Sequence, residues 1–267
     1  MSFSKPLNIK TNTEGGVTVP EQMIYIYYDT VGNNVLSKGI INQNSESQLK
    51  RTPNNILLIK DAPNVGTYYL SSGFRVIKGQ DDVKQFLQTG IGQPSKLGSW
   101  IDFSSTDMLR QLTPVEISEL LYIGHAHNYL HSPFYYKMQN NYIYLSLPND
   151  FTKVYYRHLD EFIDQFSAAI TQRMQSKVNE KRRFFQKEQI IAPFNIDNQE
   201  RRIPIFREGV CMSFRQMTVK DGLYQVPIYI VEDRLSMINR PFEETEIVGS
   251  LSYHVTSEEW NVTYNYD

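Results

Sequence analysis

Four of the five histidines fall in one third of the chain, and three stand together in His125-Ala126-His127-Asn128-Tyr129-Leu130-His131. Imidazole ligates transition metals and exchanges protons near neutral pH. On a helix, His125 and His127 point about 200° apart and cannot share an ion. His127 and His131 are four apart and could, but they would need a third ligand from His158, Asp160, Glu161 or His254. On a strand all three share one face, yet the first and third are about 20 Å apart. No His-Glu-x-x-His motif is present. The spacing therefore predicts no metal site and no cofactor. Ordinary service at a helix C-terminus, where the dipole favours protonated histidine, accounts for the group. The alternative is a pocket in which His125, His127 and His131 bind an anionic small molecule.

Acid–base chemistry would rest on His127, His131, His158 and Glu161. His127 could activate Ser132 or Tyr135 only if the following loop folds back. His158 and Glu161 are three apart, a spacing at which helix side chains meet. There is no Gly-x-Ser-x-Gly elbow, and Gly90-Ile91-Gly92 lacks the rest of a nucleotide-binding loop. Cys211 is the single cysteine, so no intrachain disulfide or cysteine-rich metal centre can form. That favours a reducing, cytoplasmic setting. The opening Met1–Pro6 has no long apolar run and reads as no signal peptide. No stretch of 18 apolar residues predicts a membrane-spanning helix.

Association is the leading expectation. Val154, Tyr155, Leu159, Phe162, Phe166, Ile170, Met174 and Val178 recur at threes and fours, which predicts one long amphipathic helix. Run from Thr152 to Lys187, it would measure about 54 Å. A body of this size has a radius of gyration of about 18 Å. Such a helix traverses the whole body or protrudes toward a partner or a second copy, unless it breaks near Asn179. Phe162 and Phe166 are the expected anchors, Tyr155 and Tyr156 the rim, and Lys181, Arg182 and Arg183 the steering charge. A second alternative gives the basic segment 177–187 to nucleic acid. Overall charge argues against it: 27 basic and 29 acidic side chains leave a net −2, and residues 192–267 hold 7 basic against 12 acidic.

The elements that would carry these residues define an α+β chain, with mainly antiparallel strands at both ends of a central helical region. Residues 1–111 read as a β-rich N-terminal domain. Strands are expected over Met23–Tyr28, Val35–Ile41, Ile56–Ile59 and Thr67–Ile77, with a short helix over Asp81–Leu87 and a loop over Thr89–Ser99. Residues 112–191 form the central region. It opens on Leu112-Thr113-Pro114-Val115-Glu116-Ile117, where Thr113 and Glu116 make a capping box and Leu112 and Ile117 a staple. Residues 142–147 suggest a strand, and Asp150 or Thr152 caps the long helix. Residues 192–267 return to antiparallel strands, either as a separate region or in one sheet with the N-terminal part. Val31-Gly32-Asn33-Asn34, Lys220-Asp221-Gly222 and Ser257-Glu258-Glu259 are the expected hairpin turns. Pro227 places its strand at an edge or a bulge. The sum is a non-enzymatic interaction or structural module that works through its central helices, as a homo-oligomer or with a protein partner.

Overall fold

The computed structural model describes residues 22–40, 49, 51–60, 65–69, 74–89, 97–123, 134–180, 187–196, 206–231, 238 and 246–265. Strands β1 (Met23–Asp29) and β2 (Asn34–Lys38) form the first hairpin. Strands β3 (Asn55–Lys60), β4 (Thr67–Tyr69) and β5 (Phe74–Lys78) precede helix α1 (Gln80–Thr89). Strand β6 (Ser99–Phe103) and helices α2 (Thr106–Arg110) and α3 (Pro114–Ile123) follow. Then come β7 (Tyr142–Ser146), β8 (Phe151–Tyr156) and helix α4 (Asp160–Asn179). The chain closes with β9 (Val210–Ser213), β10 (Thr218–Lys220), β11 (Leu223–Ile230), β12 (Ile247–His254) and β13 (Glu259–Tyr264).

All thirteen strands among the described residues join one sheet, in the order β13-β12-β11-β9-β1-β2-β8-β7-β6-β3-β5-β4, with β10 beside β11. The chain is thus a mixed α+β fold. Strands from both ends meet where β1 pairs antiparallel with β9. Neighbouring residues on a strand face opposite sides of a sheet. Tyr142 and Tyr144 of β7 accordingly join the core under α1 and α4, while Ile143 and Leu145 join a second core under α2 and α3. A third cluster, centred on Tyr25, Phe151, Cys211 and Tyr229, lies over β1, β8, β9 and β11.

Several expectations hold locally. The capping box at α3 forms: Glu116 accepts from the Thr113 N–H at 2.7 Å, and the Glu116 N–H meets Thr113 Oγ1 at 3.3 Å. That Thr113 amide, then Lys137, holds the Glu116 carboxyl below its ordinary pKa. Leu112 and Ile117 pack into the same core. Pro227 sits in a bulge rather than at an edge. Met212 of β9 pairs with Ile228 and Thr218 of β10 with Gln225, so the five residues 213–217 oppose only Val226 and Pro227. A 3-10 turn over Phe214–Gln216 fills the gap, and Pro227 falls where the β9–β10 side has no ladder to complete.

The long helix needs correction. Residues 151–156 are strand β8, between β2 and β7, and the helix runs only over the 20 residues of α4, about 30 Å. Phe151-Thr152-Lys153-Val154-Tyr155-Tyr156 is rich in aromatic and β-branched side chains, which suit a pleated surface better than a helix. The expected strand over Thr67–Ile77 is two strands, β4 and β5, paired as a hairpin. Strand β6 and helix α2 were not anticipated. No described helix is long and apolar enough to cross a membrane.

Candidate functional site

Two buried polar side chains, Glu161 and Gln165, lie where α4 enters the sheet. Asp160 and Glu161 occupy the first turn of α4, where negative charge opposes the helix dipole favourably. Asp160 is exposed, but Glu161 is only 1% exposed and faces the sheet. Its carboxylate pairs with the Arg51 guanidinium and meets the Tyr142 hydroxyl. That hydroxyl also lies 3.2 Å from the Arg51 carbonyl, so its one proton serves one acceptor at a time. One helical turn on, Gln165 Oε1 accepts from the Tyr156 hydroxyl at 3.2 Å. Tyr142 and Tyr156 are direct partners across β7 and β8, and their rings meet edge to face at 6.1 Å. Two tyrosines of the sheet thereby take two polar side chains from one side of α4.

Tyr142 is shared with a second polar site. Its backbone N–H donates to Asp102 Oδ1 at 2.6 Å, and the Asn141 N–H donates to the same oxygen at 2.9 Å. Asp102 lies next to the end of β6, buried, and fixes the start of β7. Burial raises its pKa to about 7, against the pull of the Asn141 bonds and the more distant Arg157 charge. Arg157 donates from Nε to the Asn140 carbonyl at 2.8 Å and covers the Phe134 ring at 4.7 Å.

A third feature lies on the same side of the sheet as Tyr142. Trp100 and Tyr144 face each other across β6 and β7, with rings stacked 5.2 Å apart. Both are buried, and neither the indole N–H nor the Tyr144 hydroxyl has a hydrogen-bond partner. Burial pushes the Tyr144 phenol far above its ordinary pKa. A buried hydroxyl without a partner carries its desolvation cost uncompensated. Tyr144→Phe is therefore expected to stabilise the fold by about 1 kcal/mol. Urea unfolding of both proteins measures this, and a loss of stability would show that the hydroxyl has a partner in solution.

The geometry separates most of the residues expected to act together. The His158 ring is exposed and makes no polar contact with Glu161; only the His158 carbonyl accepts the Glu161 N–H, at 3.2 Å. His254 Nδ1 meets the Ser257 N–H and hydroxyl at 3.2 Å each, which closes the β12–β13 turn. His125, His127 and His131 lie outside the described residues, as do Lys181, Arg182 and Arg183. Among the described residues, no three His, Cys, Asp or Glu side chains converge as metal ligands. Cys211 is buried, and burial pushes its thiol up to about 12, so it stays protonated.

The aromatic residues expected on an association surface are core residues. Tyr156, Phe162 and Phe166 pack in the cluster beneath α4, with Phe162 and Phe166 stacked at 6.2 Å, and Tyr155 packs on the opposite face. Strand β8 is covered on both sides, so none of the four offers an accessible ring. Arg51, Asp102 and Tyr142 were not anticipated. Asp102 had a signal, a lone charge inside the apolar run Trp100-Ile101-Asp102-Phe103, because an acid so placed must be buried and bonded. Arg51 had none, since it reaches Glu161 from 110 positions away.

What fold and site define together is an antiparallel α+β protein whose interior polar groups tie helix to strand. No family model, curated protein or solved structure matches the chain.

Proposed function

We propose that the protein is a non-enzymatic interaction module that engages a partner protein through its central helices, by way of the outer side of α3. The supporting observation is the apolar surface there. Val115 is 67% exposed and Tyr122 59%, and seven positions apart they share one stripe of the helix. Leu121 flanks them. The turn carrying Tyr136, 91% exposed, is tied to the start of α3 by Lys137, which reaches Glu116 at 2.9 Å and the Gln111 carbonyl at 3.4 Å. Exposed apolar and aromatic side chains grouped on one element are the usual mark of a contact surface. The polar clusters, by contrast, have their groups taken up in joining elements, which leaves them little to offer a substrate.

The test is a paired capture experiment. Immobilised wild type and Val115→Glu/Tyr122→Glu are exposed to extract from the source cells, and retained proteins are quantified by mass spectrometry. At least one protein should be lost by about tenfold or more from the variant, the effect of removing central apolar anchors. Identical retention by two folded proteins would refute the proposal.

A further inference from the structure

We propose that β13 is a dimerisation edge, where the sheet continues antiparallel into β13 of a second copy of the chain. The surface is separate from α3, so the inference stands apart from the reading above. β13 ends the strand order, and no described strand lies beyond it. The Asn265 N–H donates to the Val248 carbonyl at 2.8 Å, which extends the β12–β13 register by one hydrogen-bonded pair. Such pairs alternate along an antiparallel ladder. Residues 259, 261, 263 and 265 therefore bond to β12, while Trp260 and Val262 turn their N–H and C=O groups toward the open edge.

Open edges are usually blunted by lysine, proline, a bulge or a very short strand. Glu259-Trp260-Asn261-Val262-Thr263-Tyr264 has none of these: it is six residues long, pairs with β12 in unbroken register, and carries one charge at its end. Its charge pattern suits a second copy. With Val262 on a two-fold axis, Val262 faces its own copy, Trp260 faces Tyr264, Asn261 faces Thr263 and Glu259 faces Asn265. No like charges oppose each other, and every residue with outward backbone meets another of the same kind. Apolar surface lies near the same edge. The Trp260 indole N–H donates to the Ala192 carbonyl at 2.8 Å, and Ile190, two residues along that strap, is 82% exposed.

Asn261 and Thr263 point to solvent, so they can be changed without opening the core. Sedimentation equilibrium of the wild type should give about 62 kDa, twice the 31.2 kDa of one chain. Asn261→Lys/Thr263→Lys sets lysines against lysines across the axis and should weaken the dimer by about tenfold or more, with unchanged far-ultraviolet circular dichroism. Asn261→Cys/Thr263→Cys gives a second readout that needs no loss of binding. Mild oxidation should link two chains, whereas either single cysteine faces no cysteine across the axis. Cys211 is buried and does not compete. A wild type that stays monomeric, a dimer indifferent to the lysines, or a double-cysteine variant that does not cross-link would each overturn the proposal. The last also decides the matter if the lysine variant fails to fold.

Discussion

Arg51→Met is expected to destabilise the fold by about 3 kcal/mol near neutral pH, the low end for breaking a buried ion pair. The low end applies because Arg51 is asymmetrically placed: its side chain is 45% exposed, while that of Glu161 is 1% exposed. Removing the arginine leaves a carboxylate inside the protein without its guanidinium. Removing the carboxylate lets the arginine return to water. Glu161→Gln should therefore cost clearly less, on the order of 1 kcal/mol, because the amide still accepts from Tyr142. The two variants also differ in pH dependence. A buried carboxylate that has lost its cation favours its protonated form. Protonation then offsets part of the Arg51→Met defect in acid, so that variant should gain stability relative to wild type as pH falls from about 7 to about 5. Adding Glu161→Gln to Arg51→Met should recover part of the loss. Urea denaturation of the four proteins at both pH values measures all of this. Equal costs for the two single variants would show that Glu161 is solvated in the native protein.

Asp102→Asn should have the opposite sign at high pH. Burial raises the Asp102 pKa from 3.8 to about 7. The folded protein therefore keeps a proton that the unfolded chain releases well below neutrality. For a carboxyl whose pKa is raised by folding, stability is greatest in acid and is lost as pH rises toward the folded-state pKa. A tenfold difference in proton affinity between the folded and unfolded chain is worth about 1.4 kcal/mol, so Asp102 should remove about 3 kcal/mol between pH 5 and pH 8. Asparagine has no charge to bury. Its carbonyl can take the Oδ1 position and accept both the Asn141 and Tyr142 amides. The variant should lack this component of the pH slope and be the more stable protein at pH 8. Subtracting the two slopes removes the shared contribution of other titrating groups. Parallel slopes would mean that Asp102 titrates at an ordinary carboxylate pKa.

Residues close in sequence determined much of the secondary structure. The hairpins at Val31–Asn34, Asp221–Gly222 and Ser257–Glu259, the cap and staple of α3, strand β7 and the bulge at Pro227 all rest on turn chemistry, capping or ring geometry that acts within a few residues. Those effects need no distant partner, so the amino-acid order alone was enough. Strands β6 and β8 escaped that reading for a reason that lies elsewhere in the chain. Both are covered on two faces and so lack the alternation of a half-buried strand; β7 is covered likewise, but its run Tyr142-Ile143-Tyr144-Leu145 is uninterrupted, whereas Asp102 breaks the apolar run of β6 and Lys153 that of β8. Aromatic runs such as Tyr155-Tyr156 then fit a helical period by coincidence, and the rings expected on a surface lie inside. Tertiary structure alone decided that β1 joins β9, that Tyr142 serves Asp102 through its backbone and Glu161 through its hydroxyl, and that Arg51 closes the cluster. These contacts bridge tens to more than a hundred residues. Sequence could signal only that a charge in an apolar run would need a partner; the antiparallel register across β6, β7 and β8 chose which one, because it fixes the amides and rings within hydrogen-bond reach.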